Sequence, residues 1–335
     1  MHDQSLILIL IVGTAFLYDF VNGFHDAANA IATTIATHAL SPRNAILLAR
    51  TLNFVGGLLH TAVAYTIGKG VINSEIVTLP MLLAALMGAV IWGYFTWYFG
   101  LPSSSTYALM GGMIGVALFA TSFDPNVLIM KGIIRNLIVL VISPFVGMAA
   151  GALLIIAFSW IAWPFPHRIT SNIYKKLQIL SASLMAVSHG MNDAQHTMGI
   201  ITIALLSAGV IHAFHVPLWV RFSSAFMMGL GTSVGGWRII KTMGHKMTNM
   251  HEPIDGCAAE TAAGAVIMTA AMGGAVVSTT QVITGSIAGT GLAKGFSNIN
   301  WRVLGSIVLA WILTLPGAAL FGVLSYLVVI RIFPH

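Results

Sequence analysis

The sequence predicts an all-α polytopic membrane protein, with 10–12 transmembrane segments in two inverted repeats and broken or re-entrant helical hairpins. Composition is the first observation behind this. Of 335 residues, 57% are hydrophobic and only 7% charged, against roughly a quarter charged in soluble domains. The second is that 76–123, 136–163 and 261–293 contain no Asp, Glu, Lys or Arg. About 20 apolar residues span a hydrocarbon core of about 30 Å, so each run can cross at least once. These runs are uniformly apolar rather than alternating, which selects helices over a β-barrel. The third is a motif that comes back: Asn22-Gly23-Phe24-His25-Asp26-Ala27-Ala28-Asn29-Ala30 returns as His189-Gly190-Met191-Asn192-Asp193-Ala194-Gln195-His196.

Apolar segments fall at about 5–22, 26–40, 44–68, 78–99, 104–122 and 136–163, then at 178–190, 195–211, 217–237, 258–276, 279–293 and 302–331. The segments beside the two Asp motifs are short. Each pair therefore reads as two helices, as one helix broken at the glycine, or as a re-entrant element. Ser104-Ser105-Thr106-Tyr107 recurs as Ser278-Thr279-Thr280-Gln281, and Ser143-Pro144 as Thr314-Leu315-Pro316. Three matches in one order at nearly constant spacing indicate a tandem duplication. The expected division is a first repeat over 1–158, a connecting loop over 159–177 and a second repeat over 178–335. Internal repeats of five or six spans are typical of secondary transporters, which bind substrate near the midplane where helices are interrupted.

The net charge of +6 does not point to nucleic acid, because the basic residues are dispersed at the ends of apolar runs. Two clusters, His167/Arg168/Lys175/Lys176 and Arg238/Lys241/His245/Lys246/His251, favour the cytoplasmic side. The expected location is the cytoplasmic membrane, as a multi-pass protein. The single Cys257 leaves no intramolecular disulfide and no multi-thiolate metal site. Residues Met1 to Asp3 lack the basic region of a signal peptide, and Asp19 interrupts the expected cleavage zone, so 5–20 reads as retained.

Leu101-Pro102-Ser103-Ser104-Ser105-Thr106 and Ser278-Thr279-Thr280 read as helix starts, since hydroxyls cap helix N-termini and proline is tolerated there. A helix N-terminus offers unpaired N–H groups and partial positive charge, hence an anion site without Lys or Arg. The alternative is that the hydroxyls merely bond the carbonyl one turn back. Two clusters at matching places of a duplication favour the anion site. Asp26, Asp193 and Glu260 lie in or beside apolar segments, where carboxylates mark ion paths and proton relays. They read as ligands for Na⁺ or carriers of H⁺, with Asn29 and Asn192 adding neutral oxygens; Asp26 and Asp193 are the metal ligands if the ion is Na⁺. Asp19 is a weaker candidate, and Arg50 and Arg221 either contact substrate or snorkel. His25, His38, His60, His189 and His196 permit proton coupling.

The two Asp motifs, the two hydroxyl clusters and Gly231-Thr232-Ser233-Val234-Gly235-Gly236-Trp237-Arg238 together resemble the inorganic phosphate transporter (PiT) family, in a compact bacterial form. The resemblance covers nearly the whole chain. It implies an inverted-repeat helical homodimer that takes up inorganic phosphate with Na⁺ in some members and H⁺ in others. By position, it implies that Asp26, Asn29 and Asp193 take part in ion and anion coordination and that Ser104, Ser105 and Thr106 with Ser278, Thr279 and Thr280 hold the anion; Gln195 stands where the family often has the same residue, and with Asn29 and Ser103 it completes the expected substrate site. Tyr107 and Gln281 depart from the family, standing where histidine is common. The expected activity is phosphate symport across the cytoplasmic membrane driven by Na⁺ or H⁺, with no further cofactor; the alternative is a sulfate or other oxyanion permease. An intramembrane enzyme with an Asp26–Asp193 pair, and a passive anion channel, are rival classes. Matching surroundings for the two carboxylates fit a binding site better than a catalytic dyad, which needs one raised pKa.

Overall fold

The structure is a computed structural model describing residues 2–73, 76–250 and 252–333; His251 of the second basic cluster and Met1 lie outside them. Twelve α-helices are described: α1 (His2–Ala36), α2 (Pro42–Leu59), α3 (Ala62–Gly70), α4 (Leu79–Phe99), α5 (Ser105–Ala120), α6 (Met130–Ala162), α7 (His167–Ser207), α8 (Leu218–Thr232), α9 (Trp237–Lys241), α10 (Pro253–Met272), α11 (Thr279–Lys294) and α12 (Trp301–Ile332). A π-helical turn at Thr242–Lys246 extends α9. Among the described residues there is no strand, only isolated bridges between Ile72 and Leu128 and between Thr248 and Ile299.

The same order of elements runs through both halves. Short 3-10 turns, Pro125–Val127 and Phe296–Asn298, precede α6 and α12. Pro144 and Pro316 sit inside those two helices. Gly100 and Gly274, both at φ +67°, turn the chain after α4 and α10, a left-handed conformation that glycine adopts without steric cost. Each hairpin tip is then tied to the other half: Thr242 donates to the Gly100 carbonyl at 2.9 Å, and Thr66 to that of Gly274 at 2.7 Å.

Neither Asp motif breaks its helix, contrary to the expectation of broken or paired segments. Gly23 and Gly190 are packing sites. A Cβ on Gly23 would run into the Met228 carbonyl of α8, and one on Gly190 into the Asn53 carbonyl of α2, so both glycines permit close helix approach. The sequence instead breaks where no break was expected: 44–68 becomes α2 and α3, bent by 69°. The loop expected over 159–177 shrinks to 163–166, because α7 already begins at His167.

Contacts between α1 and α7 climb one helix while descending the other. Asp19 accepts from Thr197 at 2.8 Å, Asp26 lies beside His189, and Thr37 donates to Gln178 at 2.7 Å. These two helices, which carry the equivalent motifs, therefore run antiparallel. The first basic cluster lies where α7 starts, and Gly244, between Lys241 and Lys246 of the second, packs on Ala32 near the end of α1, while Arg238 lies against Gly100.

Large apolar side chains face outward, among them Ile138, Val141, Phe145 and Leu153 of α6 and Ile312 and Leu320 of α12. Polar groups occupy the interior, including Asp19, Asp26, Asp193 and Glu260. This is an integral membrane protein with a largely apolar surface. By length and apolarity four described helices can cross a membrane, α1, α4, α6 and α12, or five if α2–α3 counts as one span. The 10–12 expected exceeds this because α5 and α11 have 16 residues each, about 24 Å of helix, and α7 and α10 are diluted by the polar groups they carry inward.

Candidate functional site

The continuous helices α1 and α7 cross at their motifs, and the starts of α5 and α11 meet them there. Ser105 donates to Asp26 Oδ2 at 3.1 Å and lies 3.4 Å from Asp193 Oδ2, so one hydroxyl joins the carboxylates of both halves. From α11, Thr279 donates to Asp193 Oδ2 at 3.1 Å and Thr280 to Asp26 Oδ1 at 3.3 Å. Asn29 Nδ2 bonds the Thr280 and Thr279 hydroxyls at 3.0 and 3.4 Å. Asn192 Nδ2 donates to Asp193 Oδ1 at 2.7 Å and to the Val277 carbonyl at 3.1 Å. Each carboxylate thus meets hydroxyls from both halves.

The capping expectation holds at both starts. Ser104 accepts from Tyr107 N at 3.2 Å and Ser278 from Gln281 N at 3.3 Å. These caps satisfy the third N–H of α5 and α11, leaving the first two of each, which have no partner inside a helix, at the site. Ser103 stands one layer back, bonded to Thr96 at 2.8 Å and 3.3 Å from His25 Nε2. Thr106 donates to the Val277 carbonyl at 3.3 Å, fastening one cluster to the other.

The electrostatics combine buried carboxylates and imidazoles with two helix N-termini. Asp26, His189 and Asp193 each offer a ligand atom within 4.8 Å of the others. His25 Nδ1 approaches Asp26 Oδ1 to 2.6 Å, and His189 Nε2 approaches Asp193 Oδ2 to 3.3 Å. Two buried carboxylates at such range repel strongly in a medium of low dielectric. Positive charge between them lowers the energy. The buried Oδ1 atoms of Asn29 and Asn192 have no hydrogen-bond partner, and such spare acceptors suit a hard cation.

Other expected residues lie elsewhere. Gln195 turns away: its Oε1 accepts from Ala64 N at 3.0 Å and its Nε2 reaches the Met191 carbonyl at 2.5 Å. It caps α3, whose own N-cap residue, Thr61, makes no side-chain bond. Glu260 is buried but separate. It accepts from Thr33, from Thr34 at 2.7 Å, from Gln178 at 3.2 Å and from Ser181 at 2.6 Å, about two turns of α1 beyond Asp26. Asp19 is held by Thr197, Arg50 is exposed, and Arg221 bonds the Leu58 carbonyl. Tyr107 and Gln281 line an apolar groove with Pro144 and Pro316. Sequence reasoning missed Asn53, 3.2 Å from His189 Nδ1, and Thr96, 3.2 Å from His25 Nε2. Neither sits in a motif or recurs, so no sequence signal marked them.

The sequence model of the phosphate transporter family matches residues 22–322. The chain belongs to that family. Relatives named "Probable low-affinity inorganic phosphate transporter" include one from Bacillus subtilis, 41% identical over 99% of this chain and 100% of its own. Another, from Rhizobium meliloti, is 42% identical over 97% of this chain and 98% of its own. A third, from Mycobacterium tuberculosis, is 43% identical over 97% and 78%. A solved structure titled "The sodium-dependent phosphate transporter" shares the fold, with a TM-score of 0.89 at 23% identity over 98% of this chain and 100% of that one. Membership of a transport family removes the enzyme reading.

Proposed function

We propose that this chain is a cation-coupled phosphate symporter of the cytoplasmic membrane. The observation that carries the reading is the Ser105 hydroxyl shared between Asp26 and Asp193, at the point where two hydroxyl-capped helix starts converge. The N–H groups and hydroxyls of α5 and α11 bind the oxyanion. Asp26 and Asp193, with the Asn29 and Asn192 oxygens, bind the driving cation, whose charge offsets that of the anion. Glu260 serves as a separate cation station along the same path. No other cofactor takes part.

The antiparallel run of α1 and α7 supports inverted repeats, 1–158 and 178–335, related by a two-fold axis in the membrane plane. In that arrangement α4–α5 and α10–α11 are re-entrant hairpins whose tips meet at the midplane, and the unit works as a homodimer. The names of the relatives favour phosphate over sulfate. Chemistry agrees, because phosphate at neutral pH keeps a proton it can donate to a carboxylate. The test is uptake of labelled phosphate into proteoliposomes under a Na⁺ or a proton gradient, with sulfate as competitor. Uptake that follows one gradient and ignores sulfate is expected. Uptake blocked by sulfate, or indifferent to both gradients, overturns the reading.

A further inference from the structure

We infer that His196 is a direct ligand of the transported oxyanion, donating a ring N–H to one of its oxygens. This rests on the phosphate-site reading above. His196 follows Asp193 by three residues as Asn29 follows Asp26, so the duplication makes them equivalent. On α7 it also stands four residues after Asn192 and seven after His189, which puts all four side chains on one helix face. That is the face which meets the starts of α5 and α11.

The two equivalents differ in what they touch. Asn29 is engaged with the Thr279 and Thr280 hydroxyls of α11. The matching hydroxyls of α5 do not engage His196: Ser105 is turned to the two carboxylates and Thr106 to the Val277 carbonyl. His196 is fully buried, and neither ring nitrogen has a partner. Imidazole in either neutral tautomer carries one N–H, and a buried donor left unpaired is costly. Its neighbours on α7 point elsewhere, Gln195 to α3 and Thr197 to Asp19 of α1, so the orphaned ring lies on the face of α7 that it shares with Asn192 and Asp193. An acceptor arriving with the substrate completes it. The carboxylates already present are held by Ser105, Thr279, Thr280, Asn192 and the other imidazoles, which leaves the oxyanion as the acceptor.

The experiment measures phosphate KM and Vmax in proteoliposomes for the wild type, His196→Asn, His196→Ala and His196→Phe, each checked for a monodisperse peak in detergent. His196→Ala and His196→Phe are expected to raise KM about tenfold, the equivalent of about 1.4 kcal/mol. His196→Asn, which restores a donor and the internal symmetry, should keep KM within about threefold of wild type. Unchanged KM in His196→Ala overturns the inference, as does a His196→Asn defect as large as that of His196→Ala. A failure here is distinct from failure of the transport reading, which would appear as a wild type that takes up no phosphate.

Discussion

The side chains at the centre divide by what they lack. Asp26 and Asp193 already accept from hydroxyls of both halves, while Asn29 Oδ1 and Asn192 Oδ1 are spare acceptors and the His196 ring is a spare donor. Such a mixture fits a cation and an anion arriving together. The carboxylates and hydroxyls that meet here stood out in the sequence because a polar residue inside an apolar run is costly and therefore conspicuous. Gln195 was misplaced, since it shares the motif but faces a different side of α7. Helix phase separates 195 from 193 and 196, although it lies one turn from 192, and reading the motif as a string ignores phase. If Gln195 caps α3, then Gln195→Met removes the acceptor for Ala64 N–H and costs about 1 kcal/mol of stability. Thermal unfolding in detergent should drop by a few degrees while phosphate KM stays within about twofold. A large rise in KM without loss of stability would return Gln195 to the substrate site.

Helices were legible where a single physical signal dominated. Long uncharged runs became α4, α6 and α12, and hydroxyls at capping positions became the starts of α5 and α11. The glycines of the Asp motifs misled, because glycine marks both helix breaks and close packing, and only the partner helix decides which. Asn53 and Met228, the partners here, lie far away in sequence. The bend after Leu59 has no Pro or Gly at its apex, only His60 and Thr61, so nothing local announced it. The relation between the repeats is open to direct measurement. Asn126 and Ser297 are exposed, equivalent positions in the 3-10 turns before α6 and α12. With Cys257 replaced by Ser, Asn126→Cys and Ser297→Cys should react with a membrane-impermeant thiol reagent from opposite faces of the membrane. Labelling of both from the same face would mean parallel repeats.

For the molecule as a whole, the surface is apolar and the charged and polar groups of the motifs are buried within a largely hydrophobic interior, and the apolar excess was readable from composition. What composition could not reveal is that each half completes the other. Thr66 and Thr242 exchange hairpin tips, α1 packs on α8 and α7 on α2, and the carboxylates of both halves share Ser105. One half alone brings together neither both carboxylates nor both hydroxyl-capped helix starts. In the proposed mechanism the carboxylate pair ties ion to anion, and the most direct measurement is gradient-driven uptake of labelled phosphate by reconstituted wild type, Asp26→Asn and Asp193→Asn, at matched amounts of folded protein. Each substitution keeps the shape and removes one charge. Loss of gradient-driven uptake by at least about a hundredfold in both variants, with the wild type active, is the expected result. Uptake in either variant that still follows the cation gradient at the wild-type rate would contradict the role given to the pair.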